Sequence, residues 1–369
     1  MPLRARIAFL LVVATGLSAN AQSPAWAPAV EAELLQQQRT DRIPGLSCAI
    51  VLRGELVFRL GLGLADVEND VPATPQTVYR LASISKPVTA VLAMQLAERS
   101  ELDLDADVHT LVPEWPAKPW PVTTRQLLAH LGGVRHYQGE AESTVHYATQ
   151  REGLVRFAAD PLLHEPGSRH HYSTYGYNLV AAVVESRTKK AFPTVLRERI
   201  AGPANAPSLQ DDDVRRIVRG RAQGYVRKDD QLQNSELLDA SYKLGGGGLC
   251  ASAEDLARFG ACLLDGTLLR KETLQTMWTR QRTTAGDEID YGLGFRVDGA
   301  GERLRVWHSG AQARVSTMLL LLPTERIVVV VLCNLEQVRL QPLAFRLAEL
   351  VARAGAAAPT STDNPVEVR

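Results

Sequence analysis

The sequence predicts an α+β fold, an α/β sandwich whose antiparallel sheet is built from N- and C-terminal segments and flanked by helices. Three observations point there. Strand patterns occupy both ends of the chain, at residues 46–52 and 56–62 and again at about 292–297, 304–307, 315–322 and 327–333. Short helical patterns joined by Pro- and Gly-containing loops fill residues 102–203, which reads as a mainly helical subdomain inserted into the sheet domain. Between the two lies the run Val88, Ala90, Val91, Leu92, Ala93, Met94 and Leu96, apolar nearly all round, as in a helix buried in the interior. The expected organisation is therefore a discontinuous sheet subdomain at 22–101 and 204–355, with the helical subdomain at 102–203 inside it. No internal repeat interrupts this pattern.

Taken in order, residues 1–21 read as a targeting segment. Arg4 and Arg6 precede an apolar stretch at 7–17, and Ala19-Asn20-Ala21 supplies the small residues of a cleavage site, so the mature chain is expected to begin near Gln22. The apolar stretch is too short to span a bilayer and no cysteine follows it to carry a lipid. Export through a Sec-type signal peptide to a periplasm or the exterior is the expectation, with no stable membrane anchor. A helix is expected over 27–39, ending before Pro44-Gly45, and a tight turn at Arg53-Gly54 joins the first two strands. Gly61 and Gly63 read as bends in a strand, since no helix opens after them as a dinucleotide loop requires. Pro87 is tolerated only in a first turn, which starts the buried helix at about Ser83 to Ser85; it ends near Ser100.

Helices are expected in the subdomain at 124–130, 151–159, 173–189 and 192–200. Asp211-Asp212-Asp213 is most simply a solvated helix start. A helix at 253–264 opens on Ser252 and Asp255, which have the spacing of a capping box. The apolar region 318–335 is interrupted by Pro323-Thr324-Glu325-Arg326, making it two strands and a turn. An amphipathic helix at 340–354 follows, and the small, polar residues 356–369 read as a disordered tail.

Composition excludes several function classes. The chain of 369 residues carries 41 basic and 41 acidic side chains with no Lys/Arg cluster, so neither nucleic acid nor an anionic membrane is an expected partner. Cys48, Cys250, Cys262 and Cys333 are too few and scattered for a disulfide scaffold and read as four separate buried thiols. His164, His170 and His171 lack the i, i+4 pairing of a zinc helix and read as a polar loop, so no metal is expected. Gly245 to Gly248 are not followed by the Lys-Ser/Thr of a phosphate cradle and read as a close-packed turn; no cofactor is expected.

The chemistry is expected at Arg80-Leu81-Ala82-Ser83-Ile84-Ser85-Lys86. Ser83 and Lys86 share one face once the helix begins, so a hydroxyl and an amine meet at the positive end of a buried helix. That arrangement can make a serine nucleophilic. Two further elements follow at suitable places: Tyr172-Ser173-Thr174 before a helix, and His308-Ser309-Gly310 between a strand ending at Trp307 and the apolar strand from Val315.

With these residues the chain resembles the penicillin-recognising serine hydrolases, of the class C β-lactamase and D-alanyl-D-alanine carboxypeptidase type. Within them it is most similar to the mitochondrial serine β-lactamase-like proteins and their bacterial relatives. The resemblance runs through Pro44-Gly45-Leu46-Ser47, Gly63-Leu64-Ala65-Asp66-Val67-Glu68-Asn69, Arg80 to Lys86 and Leu102-Asp103-Leu104-Asp105. It continues through Leu127-Leu128-Ala129-His130, Val134-Arg135-His136-Tyr137, Pro166-Gly167 before Tyr172, Tyr175-Gly176-Tyr177, Gly246-Gly247-Gly248-Leu249 and Tyr291-Gly292-Leu293-Gly294-Phe295.

The resemblance implies a β-lactamase/transpeptidase-like fold in which the first and last strands pair, which would bring Cys48 and Cys333 onto neighbouring strands. It implies catalytic roles for Ser83 as the acylated nucleophile, Lys86 as proton acceptor or tuner, and Tyr172 as proton relay or base, the choice of base between Lys86 and Tyr172 staying open. It further implies an oxyanion hole from the backbone N–H groups of Ser83 and Ala311, and substrate binding by Thr174, His308, Ser309 and Gly310. Two departures bear on substrate. Thr174 stands where lactamases have Asn, and His308 stands where they have a permanently charged Lys. A third is Leu131-Gly132, where relatives carry Thr and Ser after the histidine. The expected activity is an acyl-enzyme hydrolase of a small peptide or ester. The alternatives are a true β-lactamase, or an assembling or scaffold protein with vestigial activity. A homo-oligomer is compatible with the resemblance.

Overall fold

The computed structural model describes residues 24–138 and 144–357. The expected leader and most of the expected tail fall outside these residues.

Among the described residues there are twelve strands: β1 Gly45–Leu52, β2 Glu55–Asp66, β3 Val71–Pro72, β4 Val78–Arg80, β5 Gln210–Asp211, β6 Tyr225–Lys228, β7 Gln231–Asn234, β8 Leu249–Ser252, β9 Arg296–Asp298, β10 Arg305–Gln312, β11 Val315–Leu322 and β12 Ile327–Cys333. The main sheet has the order β3-β2-β1-β12-β11-β10-β9, antiparallel throughout. N- and C-terminal segments therefore meet at its centre, where Leu46 faces Cys333 and Leu52 faces Ile327. The central strands are continuous apolar runs because both faces are covered. Ala49, Val328 and Val330 point to one core, while Ile50, Val329 and Val331 point to the other.

The second core is closed by the Ala27–Thr40 and Gln341–Ala357 helices through Val30, Leu34, Leu343 and Leu347. The first is covered by the Ala253–Leu264 helix and, beyond it, by the Ser85–Glu98 helix, in which every residue from Ser85 to Leu96 is buried. Between Arg80 and Gln210 the named elements are all helical.

The expected helices and strands are present, with shifted ends. The helix expected over 151–159 is a Gln150–Gly153 turn followed by a 3₁₀ turn at Leu154–Arg156. The one over 192–200 becomes a π-turn after Leu196. Only half of the capping box at Ser252 forms: its hydroxyl accepts from Asp255 N–H, whereas the Asp255 carboxylate turns to Ser208 and Arg258. The cysteines are free; Cys48 lies opposite Val331 and Cys333 opposite Leu46, so the two thiols do not face each other.

Asp211-Asp212-Asp213 is not a solvated helix start. Asp211 ends β5, which pairs with β8, and the Asp212 side chain is 1% exposed. Its carboxylate lies 2.5 Å from Arg80 Nε and 2.9 Å from Arg221 Nη1. A carboxylate enters the interior when cations enter with it, and here one of them is the last residue of β4, three residues before Ser83. Asp212→Ala leaves the Arg80 charge buried and unmatched, so a loss of about 3–5 kcal/mol is expected. Chemical denaturation of the variant measures it; a change below about 1 kcal/mol would mean that the pair is solvated in solution.

Candidate active site

The site begins with a strained turn. Leaving β4, the chain forms a 3₁₀ turn at Ala82–Ile84 in which Ala82 has φ of 47°, a left-handed value rare for a residue with a Cβ. Ser83 is partly exposed while Ala82, Ile84, Ser85 and Lys86 are buried, so the turn lifts this one hydroxyl out of the core. Strands β10 and β11 press on the turn from the sheet side. Thr317 Oγ1 donates to Leu81 O at 2.9 Å, and a Cβ on Gly310 would lie 2.4 Å from that same oxygen. Only glycine allows this approach, which brings Ala311, the next residue on β10, near the Ser83 turn.

Lys86 has no exposed surface. Its Nζ lies 2.9 Å from Ser83 Oγ, 3.2 Å from Thr174 Oγ1 and 2.6 Å from Gly246 O. The glycine turn makes the last contact reachable: a Cβ on Gly246 would sit 2.6 Å from Thr174 Cγ2, so the Leu244–Gly247 turn could not otherwise approach the Thr174–Thr188 helix. Burial, reinforced by the nearby Lys243 charge, holds the Lys86 amine well below the ordinary lysine range. Tyr172 closes the site. Its ring lies 4.8 Å from Lys86 Nζ, and burial, opposed in part by the nearby Ser83 hydroxyl, pushes its ionisation well above that of a free phenol.

Ser83, Lys86 and Tyr172 are thus brought together, and of the residues implied as substrate contacts Thr174, His308 and Gly310 are buried while Ser309 is exposed. Thr174 is 2% exposed, and its hydroxyl accepts from Lys86, so it helps to hold the amine. His308 is also 2% exposed and spans Ser309 O at 2.7 Å and the Tyr291 hydroxyl at 3.0 Å. Burial holds its ionisation well below the ordinary imidazole range. Strand β10 continues past Trp307, so His308 and Gly310 lie within it facing inward, whereas Ser309 and Ala311 alternate outward and are exposed.

Four site residues carried no role in the sequence reading. Tyr177 donates to Leu128 O at 2.6 Å and Tyr291 supports His308; both stood in motifs quoted above, and the motif was the only signal. Lys243 is buried beside Lys86, preceding the glycine turn. Arg296 lies on β9 opposite Trp307, with Cζ 5.5 Å from that ring, and its charge reaches both Tyr172 and His308. Among the described residues no group of three or more His, Cys, Asp or Glu could hold a metal ion.

A sequence model of the beta-lactamase family matches residues 30–353. The chain belongs to the beta-lactamase family. That family groups serine hydrolases of this fold with penicillin-binding proteins. The human mitochondrial serine beta-lactamase-like protein is 28% identical, over 83% of this chain and 76% of its own length. Penicillin-binding protein 4* of Bacillus subtilis is 27% identical, over 77% of this chain and 66% of its own. The structure of an octameric penicillin-binding protein homologue from Pyrococcus abyssi superposes with a TM-score of 0.75 at 25% identity, covering 88% of this chain and 77% of that one.

A buried amine that resists protonation costs stability wherever the unfolded chain would bind the proton. The folded value of Lys86 lies below the ordinary 10.5. Its unfavourable contribution is therefore absent above that pH and grows as pH falls toward the folded value. Lys86→Met is expected to be more stable than the natural chain at pH 7, with the margin shrinking toward pH 10. Denaturant melts at the two pH values check this; a variant less stable at both would show that the amine's hydrogen bonds outweigh its burial.

Proposed function

We propose that this member of the family cleaves a peptide or ester through an acyl-enzyme on Ser83, with neutral Lys86 as the resting base. The observation carrying the reading is the 2.9 Å approach of Lys86 Nζ to Ser83 Oγ in a setting that disfavours the ammonium. A neutral amine has two N–H donors and one lone pair. Gly246 O and Thr174 Oγ1 take the donors, leaving the lone pair for the Ser83 hydroxyl. Tyr172 is pushed toward its phenol form, which suits a proton donor better than a resting base.

In the first step the Ser83 proton passes to Lys86 as Oγ attacks the substrate carbonyl carbon. The resulting oxyanion is held by the N–H groups of Ser83 and Ala311. The C–N or C–O bond then breaks, and the departing group takes a proton relayed from Lys86 through Tyr172. Water repeats the sequence in reverse roles, releasing the acid and restoring Ser83. Neutral His308 offers no charge to a substrate carboxylate, so that task falls to Arg296, which has no carboxylate partner among the described residues.

Ser83→Ala is expected to abolish labelling by a fluorophosphonate and to lower p-nitrophenyl ester turnover by at least about 10³-fold. Labelling that persists elsewhere with unchanged turnover would remove Ser83 from the chemistry. A chromogenic cephalosporin assayed alongside is expected to turn over slowly; fast, Ser83-dependent turnover would make the protein a β-lactamase proper. An unlabelled but folded natural protein would favour a scaffold. Arg296→Ala is expected to raise KM roughly tenfold for peptides with a free carboxylate and to leave neutral esters within about twofold. Equal effects on both substrate types would remove Arg296 from substrate binding.

A further inference from the structure

The loop that carries Tyr172 is gripped by a short segment ahead of it. The Ser173 N–H donates to His130 Nδ1 at 3.1 Å and the Thr174 N–H donates to His136 Nδ1 at 3.0 Å. These are successive amides at the start of the Thr174–Thr188 helix, whose first N–H groups have no partner within the helix. The grip continues through backbone and side chain. His171 N–H donates to His130 O at 2.8 Å, and Ser173 Oγ donates to Arg135 O at 2.8 Å while accepting from Gly176 N–H. The His130 ring also lies against the Tyr172 ring, with centroids 4.3 Å apart.

His130 is an expensive residue for this place. Its backbone has φ of 59°, a left-handed value. Its side chain is 2% exposed, and its Nε2 is buried with no hydrogen-bond partner. Since Nδ1 accepts, the proton sits on Nε2, leaving an unmatched N–H among aromatic rings. Burial holds the imidazole in the neutral form that such acceptance requires. A leucine would fill the volume without the orphaned donor, but it would leave the Ser173 N–H without its acceptor. The group that this position supplies is therefore the Nδ1 lone pair.

We propose that His130 and His136 are positioning residues for proton delivery by Tyr172: by accepting the Ser173 and Thr174 amides they fix the loop that holds Tyr172 beside Lys86 and Ser83. The inference rests on the reading of Tyr172 as the donor to the departing group. If the Tyr172 hydroxyl is misplaced, the loss falls on substrates whose departing group needs a proton, such as anilides and alkyl esters. It spares p-nitrophenyl esters, whose departing group leaves as a stable anion. An ordinary packing defect would slow both alike.

His130→Leu, His130→Asn, His136→Leu and Tyr172→Phe are compared on an anilide and on the p-nitrophenyl ester of the same acyl group. Tyr172→Phe is expected to lose about 10²–10³-fold in kcat on the anilide and under tenfold on the nitrophenyl ester. His130→Leu is expected to show the same pattern at about 10²-fold, with KM within about twofold. His130→Asn, whose Oδ1 can accept the Ser173 amide, is expected to recover most of it. If Tyr172→Phe shows no dependence on the departing group, the reading of Tyr172 fails. If Tyr172→Phe shows it and His130→Leu slows both substrates equally or neither, the positioning role fails. Should His130→Leu not fold, His136→Leu at its less buried position carries the comparison: the departing-group pattern supports the role, and its absence overturns it.

Discussion

An amine with no exposed surface needs partners for its protons, and the site is arranged around meeting that need for Lys86. Its hydrogen-bond partners come from separate parts of the chain: Ser83 from the turn after β4, Thr174 from the helical region and Gly246 from the glycine turn. None could approach without features that look incidental alone. Gly246 must lack a Cβ to let the turn reach the Thr174–Thr188 helix, and Gly310 must lack one to let β10 close on Leu81. The reactive geometry is therefore a property of how three packed elements converge, and any change that lifts one of them loosens the others.

Much of this was legible in the sequence because the relevant signals are local. Ser83 and Lys86 share a helical face by spacing, and Tyr172 sits one residue before an N-cap serine. Strands β11 and β12 read as buried because their residues are apolar without alternation. The sequence says less where burial and distant partners decide. Nothing in their motifs announces that Thr174 and His308 are enclosed and hydrogen-bonded inside the protein. Three consecutive aspartates look solvated, and nothing nearby in sequence announces that Arg80 waits for Asp212 across the fold. Arg296 gave no signal, since its importance comes from the pairing of β9 with β10.

The interior around the site carries more unbalanced polarity than a core built for stability alone. A strained Ala82, a buried amine, a neutral buried imidazole at His308 and an orphaned N–H at His130 all lie close to Ser83. Each opposes folding, and the apolar sheet beneath offsets them. The Arg80–Asp212–Arg221 group differs in kind: it is charge matched with charge, and it holds the strand from which the Ser83 turn departs.

The pairing of β1 with β12 also governs when the molecule can fold. In the finished sheet β1 is flanked by β2 and β12, and of the described strands β12 is synthesised last. Until residues 327–333 are made, the N-terminal hairpin has no inner neighbour and β11 exposes an apolar edge. Assembly of the sheet is thus a late event of the whole chain, dominated by contacts distant in sequence and correspondingly slow. A chain stopped before Ile327 would yield two open-edged fragments in place of a smaller working fold.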